Sequence, residues 1–161
     1  MLYAKSDQHT LGYLGRALSL EMTAVQQYAT QGKLVAAWGL TEDASKLQQE
    51  SLEEMEHVNR IIGRMLALGV APNASMLRPV KLGRDLRELL LADAELEKDL
   101  ITLYMQAANH CARNGDLDGR KFFETLLHEE QAHDVALSEW IRKLEAVTVA
   151  STSTTNSRVT F

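Results

Sequence analysis

Apolar positions recur every three or four residues along most of this chain, the spacing of one face of a helix. The first such run carries Leu14, Leu18, Val25 and Tyr28. It predicts a helix that begins near Ser6 or Asp7, either a good N-cap, and ends near Trp38-Gly39. Thr41 is placed to cap a second helix, with Glu42 and Asp43 favourable in its first turn. That helix runs through Leu47, Met55, Ile61, Ile62 and Met65 to about Leu68, and Gly69 can end it. The periodicity then lapses. Residues 69–82, GVAPNASMLRPVKL, hold both prolines and read as a connector. A third helix is predicted from about Gly83 to Arg113, closed by Asn114-Gly115, and a fourth from about Asp116 to Val147. The remainder, TVASTSTTNSRVTF, is Ser/Thr-rich and β-branched, a poor helix former. The expected organisation is one helical domain over 1–147 and an irregular or mobile tail over 148–161.

Helices of roughly 28 residues are about 42 Å long at about 1.5 Å per residue. The first and third junctions are short, so those helix pairs should be antiparallel neighbours. The connector, at about 3.3 to 3.6 Å per residue, reaches about 46 to 50 Å. That is enough to run the length of a bundle and start the third helix parallel to the second. The expected fold is an all-α four-helix bundle with one long crossover between helices 2 and 3.

Composition agrees with this picture and narrows the function. The chain has 161 residues, 45% hydrophobic, with only 2 Pro and 9 Gly, and suits one helical domain. Net charge is −5 and no Lys/Arg run exceeds two residues, so a basic nucleic-acid footprint is absent. The acidic balance favours cations as partners. No apolar stretch approaches the roughly 20 residues of a membrane span, and MLYAKSDQHT has no signal-peptide core. Cys111 is the only cysteine, so an intramolecular disulfide is excluded and the chain reads as cytoplasmic.

The polar residues that interrupt the apolar stripes carry the chemistry. Glu21 lies on the stripe of Leu14, Leu18, Val25 and Tyr28. Glu54 and His57 lie with Leu47, Ile61 and Met65, Glu97 with Leu90, Ile101 and Tyr104, and Glu130 and His133 with Phe123, Leu126, Leu137 and Trp140. Glu21 precedes Glu54 by 33 residues, and Glu97 precedes Glu130 by the same 33. A lone Glu-x-x-His pair on a charged helix is ordinarily a solvated surface pair. Two such pairs, two lone glutamates and equal intervals are another matter. One glutamate from each of two helices and a Glu-x-x-His from each of the other two is the inward ligand set of dinuclear carboxylate bundles. Four buried carboxylates would be intolerable without cations or protons, and two divalent ions would bring the site close to neutral. Oxygen and imidazole donors without thiolate suit iron or manganese. Glu53, Glu56, Glu129 and Gln131, in the segments EEMEH and HEEQAH, are expected on the exposed flank.

From about Leu11 to Glu145 the chain resembles the bacterioferritins. The likeness rests on LSLEMTAVQQY (18–28), Trp38-Gly39-Leu40, ESLEEMEHVNRIIGRML (50–66), LGRDLRELLLADAELE (82–97) and EEQAHDVALSEW (129–140). The resemblance implies a ferritin-like bundle in which Glu21, Glu54, His57, Glu97, Glu130 and His133 bind two iron ions per subunit. It implies Glu54 and Glu130 as bridges, with Glu21 and His57 on one ion and Glu97 and His133 on the other. Tyr28 matches a tyrosine beside the family's ligands, and reads equally as a core aromatic. Met55 stands at the family's haem-ligating methionine, where two subunits hold one haem b across a two-fold interface; its other reading is a flexible packing residue. The chain departs from the family at Ala29 and Gln48, where aromatics are usual, and at Gln49, where some members have a histidine that helps bind an inner-surface iron. The family's fifth short helix should follow Glu145, where the Ser/Thr-rich segment stands.

The function so implied is iron storage and detoxification: oxidation of Fe(II) to Fe(III) by O₂ or H₂O₂ at an intrasubunit dinuclear ferroxidase centre. The partners implied are Fe(II), the oxidant, an electron donor and other copies of the chain, as a two-fold dimer and up to a 24-subunit cage. A non-storage di-iron peroxidase or oxidase in a smaller oligomer is the alternative. A purely structural bundle or a haem-binding dimer without a redox metal pair is a third.

Overall fold

A computed structural model describes residues 7–73 and 76–156. Its helices are α1 (Gln8–Ala37), α2 (Thr41–Ala67), α3 (Leu86–Arg113) and α4 (Leu117–Asn156), and there is no strand among the described residues. Leu14, Leu18, Leu47, Ile61, Leu89, Leu90, Leu100, Phe123 and Leu126 are fully buried along the axis between them. The apolar spacing of each helix therefore turns one face inward, as the sequence predicts. No described helix is long and apolar enough to cross a membrane.

Caps set most of the boundaries. The Asp7 carboxylate accepts from the His9 and Thr10 amides at 2.8 and 3.0 Å and starts α1. Gly39 at φ 82° and Gly115 at φ 69° turn the chain out of α1 and α3 in a conformation that side-chain-bearing residues avoid. These tight exits make α1–α2 and α3–α4 antiparallel pairs. The start of α2 differs from expectation: Thr41 is its first helical residue, and Leu40 holds the cap position without a side-chain bond. The start of α3 differs too. Asp85 caps the Glu88 amide at 2.9 Å and Glu88 folds back to the Arg84 amide at 2.8 Å, so the helix begins at Leu86, three residues past Gly83.

The connector crosses the bundle. The Arg78 amide donates to Thr23 Oγ1 at 3.2 Å, the Lys81 amide donates to Gln27 Oε1 at 3.3 Å, and Gln31 Nε2 donates to the Lys81 carbonyl at 3.2 Å. The connector thus climbs α1 in register, and Arg78 and Lys81 reach Asp99 and Glu95 on α3 at 2.5 and 2.7 Å. This places the end of α3 beside the start of α1: His110 lies 3.0 Å from Asp7. α2 and α4 are likewise antiparallel, with Arg60 bound to Glu129.

The expected irregular segment after Val147 is corrected in part. α4 continues unbroken to Asn156. Thr148 Oγ1 donates to the Leu144 carbonyl at 3.1 Å, Thr152 Oγ1 to the Thr148 carbonyl at 3.2 Å and Ser153 Oγ to the Ala150 carbonyl at 2.9 Å. Hydroxyls that can satisfy themselves on the preceding turn need not break a helix, and propensity alone is a weak prior. The last expected tail residues, 157–161, lie outside the described residues.

Candidate metal centre

Each helix sends one group of predicted ligands to the middle of the bundle. Glu21 comes from α1, Glu54 and His57 from α2, Glu97 from α3, and Glu130 and His133 from α4. Glu21, Glu54 and Glu130 are 0% exposed, Glu97 is 1% and His57 is 3%. His57 Nδ1 lies 2.8 Å from Glu130, 2.9 Å from Glu54 and 3.4 Å from Glu21. His133 Nδ1 lies 3.1 Å from Glu54 and 3.4 Å from Glu130. The imidazoles stack 5.7 Å apart and nearly parallel, at 15°. Ligand atoms fall into two groups, Glu21-Glu54-His57-Glu130 and Glu54-Glu97-Glu130-His133. Glu54 and Glu130 belong to both.

Short distances here are not all hydrogen bonds. Glu21 Oε2, Glu54 Oε2, Glu97 Oε2, both Glu130 oxygens and His57 Nδ1 are buried and have no hydrogen-bond partner. Buried polar atoms without partners are costly and rare in folded proteins. These atoms lie close together around common points, as ligands of shared cations do. The residues present therefore fit a pair of divalent ions.

Protons divide unevenly among the six groups. Burial pushes Glu21 and Glu97 well above the usual carboxylate range, and the neighbouring charges of Glu54 and Glu130 add to it. Burial also opposes charge on Glu54 and Glu130, but the close imidazoles of His133 and His57 outweigh it and hold both below that range, Glu130 at about 2. Burial disfavours the imidazolium forms, yet the close carboxylates of Glu130 and its neighbours raise His57 and His133, the latter to about 12. These shifts favour the neutral forms of Glu21 and Glu97 and the charged forms of both imidazoles.

Two tyrosines brace the lone glutamates from the opposite half. Tyr28 on α1 donates to Glu97 on α3 at 2.5 Å, and Tyr104 on α3 donates to Glu21 on α1.

The chain matches the ferritin-like domain over residues 11–147. It is 39% identical over 129 residues to the bacterioferritin of Rhodobacter capsulatus, covering 80% of each chain, and 33% identical over 129 residues to that of Brucella melitensis, again with 80% of each covered. The chain belongs to the bacterioferritin family. Among solved structures, Rhodobacter capsulatus bacterioferritin superposes with a TM-score of 0.85 at 37% identity, covering 88% of this chain and 89% of that one. That structure, at 2.6 Å, has a metal-free dinuclear site and a haem iron on a crystallographic special position. The Mycobacterium tuberculosis bacterioferritin BfrA superposes with a TM-score of 0.84 at 28% identity, covering 89% and 90%.

Set among bacterioferritins, the site holds further residues beyond the six ligands. Tyr104 was placed on an inward stripe without a role. Its signal was available, since Tyr28 follows Glu21 and Tyr104 follows Glu97 by the same seven residues. Glu53 and Glu129 are on the expected flank and partly exposed, but they are not idle. Glu129 lies 3.0 Å from His57 Nε2, and Glu53 lies 3.1 Å from His133 Nε2. Each carboxylate fixes the outer nitrogen of an imidazole whose inner nitrogen faces the cluster, the arrangement that orients metal-binding histidines. Both histidines also line a cavity of about 380 Å³ between α2 and α4, with Glu53, Glu56, Arg60 and Glu129. Gln49, where some family members have histidine, donates to Glu53 at 3.0 Å. Met55 lies on the opposite, outer flank of α2, 37% exposed, with Leu52 also exposed one turn earlier.

Proposed function

We propose that this chain stores iron and oxidises Fe(II) to Fe(III) at a dinuclear centre formed by Glu21, Glu54, His57, Glu97, Glu130 and His133. The observation that carries the reading is the pair of overlapping ligand groups that share Glu54 and Glu130 and hold buried, unpartnered oxygens. Family membership supports iron storage, and the donor set suits Fe(II) as substrate. Glu54 and Glu130 are the bridges. Glu21 with His57, and Glu97 with His133, are the terminal ligands of the two positions.

Two Fe(II) each give up one electron. O₂ taking two electrons and two protons becomes H₂O₂, and H₂O₂ taking two electrons and two protons becomes two waters. The chain's part is to hold both ions side by side, so that one oxidant meets two electron donors at once. Tyr28 and Tyr104 keep the terminal carboxylates in place. Glu53 and Glu129 hold the imidazole rings. The apolar residues above and below the centre exclude bulk water. Cytoplasmic action and assembly of copies as two-fold dimers within a cage belong to the same reading.

Haem b belongs to it as well. Met55 and Leu52 present an exposed thioether and an apolar surface on the outer side of α2, suited to covering a haem face at a two-fold contact. Met55 would hold the haem through its thioether, and the haem would supply electron transfer to the oxidised iron. An unchanged Soret band in Met55→Ala would reject that ligand.

One observation favours the second reading, a non-storage di-iron oxidase or peroxidase of smaller assembly. α4 runs unbroken from Leu117 to Asn156 and does not turn into a separate helix after Glu145. Native mass separates the two readings, a cage against a dimer. Stopped-flow oxidation of Fe(II) tests the site itself. Glu54→Ala and His133→Ala should each slow the rapid phase by at least about tenfold, and rates equal to the parent protein's would remove the assignment.

A further inference from the structure

The geometry points to a second, mononuclear metal site, formed by Asp7, His9 and His110 and suited to a divalent transition-metal cation such as Zn²⁺ or Fe²⁺. Asp7 and His9 belong to the start of α1, and His110 to the last turn of α3. The crossover makes these helices antiparallel, so residues far apart in sequence meet at one end of the bundle. His110 Nε2 lies 3.0 Å from both oxygens of Asp7, and His9 Nδ1 lies 3.8 Å from Asp7 Oδ1. One ligand atom from each residue lies within 4.8 Å of the others.

Those separations are close to the edges of a coordination shell. Donors at about 2.1 Å from a metal stand about 3.0 Å apart in an octahedron and about 3.4 Å apart in a tetrahedron. The carboxylate–imidazole edge already has that length. Only the His9 ring must move; its side chain is 81% exposed, and its ring already lies 5.3 Å from that of His110. Asp7 is held for the purpose. The His9 and Thr10 amides bind Oδ1, and the Thr10 hydroxyl binds Oδ2 at 3.0 Å, which leaves Oδ2 a further lone pair. Burial raises the Asp7 pKa, but these bonds and His110 outweigh it and lower it to about 2, so the group is an anion at neutral pH. Asn114 Nδ2 approaches His110 Nε2 at 2.9 Å, and it also donates to the His110 carbonyl at 3.1 Å, a bond it keeps if the ring nitrogen takes a metal.

Two imidazoles and one carboxylate are the donor set of mononuclear Zn²⁺ and Fe²⁺ sites that leave positions open to water. The C-terminal turn of α3 favours a cation beside His110, offsetting the opposite field at the start of α1. The site is separate from the dinuclear centre. Asp7 and Glu21 are 14 residues apart on α1, about 21 Å at 1.5 Å per residue.

Calorimetric titration of the full-length protein with Zn²⁺ tests this. The parent protein should bind one more Zn²⁺ per chain than His9→Ala/His110→Ala, while the rate of Fe(II) oxidation stays the same in both. Because His110 also packs against Tyr13, the exposed single variant His9→Ala provides the second arm and should weaken that class of site at least about tenfold. Equal stoichiometry and affinity in all three proteins would overturn the proposal. So would zinc-edge anomalous diffraction from Zn²⁺-soaked crystals with density at the dinuclear cluster alone.

Discussion

Tyr28 on α1 hydrogen-bonds Glu97 on α3 at 2.5 Å, and the same bond runs in the opposite direction from Tyr104 to Glu21. Each half of the bundle thereby holds the lone glutamate of the other half. The first prediction follows from this exchange. Tyr28→Phe should weaken the metal position of Glu97 and His133, and Tyr104→Phe that of Glu21 and His57, each by about 10- to 100-fold. A two-step Co²⁺ titration followed by its visible absorption separates the positions. Equal weakening of both steps by each variant would contradict the pairing.

Cation loading should release protons. Burial and the charged neighbours favour the protonated forms of Glu21 and Glu97, and the close carboxylates of Glu130 and Glu54 favour the charged imidazoles. A ligand must shed its proton to bind, so filling both positions should release protons. Affinity should then fall steeply as pH falls. Calorimetry in buffers of different ionisation enthalpy measures the number, and a value near zero would refute the proton distribution.

Asp93 makes a separate statement about stability. It is 0% exposed, accepts from Gln27 at 2.8 Å and has its second oxygen unpartnered. Burial raises its pKa from 3.8 to about 7, against the opposing pull of the Gln27 and Gln31 amides. Below pH 3.8 both folded and unfolded chains carry the proton. Between there and pH 7 only the folded chain keeps it, so this group's contribution is lost as pH rises through that window. Asp93→Asn should therefore match the parent protein near pH 4 and exceed it by about 2 to 4 kcal/mol at pH 8. Urea unfolding at the two pH values reads the difference.

Gly83 is required by contact. A Cβ there would sit 2.7 Å from the Glu88 Cβ, in the turn that starts α3. Gly83→Ala should cost about 1 to 3 kcal/mol in unfolding free energy and leave the helix content almost unchanged by circular dichroism.

Helix periodicity and the equal 33-residue intervals made the four helices, the crossover and all six central residues legible, because each depends on which face a residue occupies. Pairings across helices were less legible. Glu129 and Glu53 read as solvated flank because nothing in α2 or α4 alone says that an imidazole of the other helix ends beside them. The same is true of Asp7 and His110, which 103 positions separate. Thr148 to Ser153 were misjudged for a different reason. Composition argues against a helix there, but hydroxyls bonded to the preceding turn remove the objection.

The central claim is that two iron ions lie side by side and share Glu54 and Glu130. Crystals loaded anaerobically with Fe(II) and measured at the iron absorption edge test it most directly. Two anomalous peaks about 3.5 to 4 Å apart are expected, one beside Glu21 and His57 and the other beside Glu97 and His133. A single peak, or peaks away from Glu54 and Glu130, would contradict it.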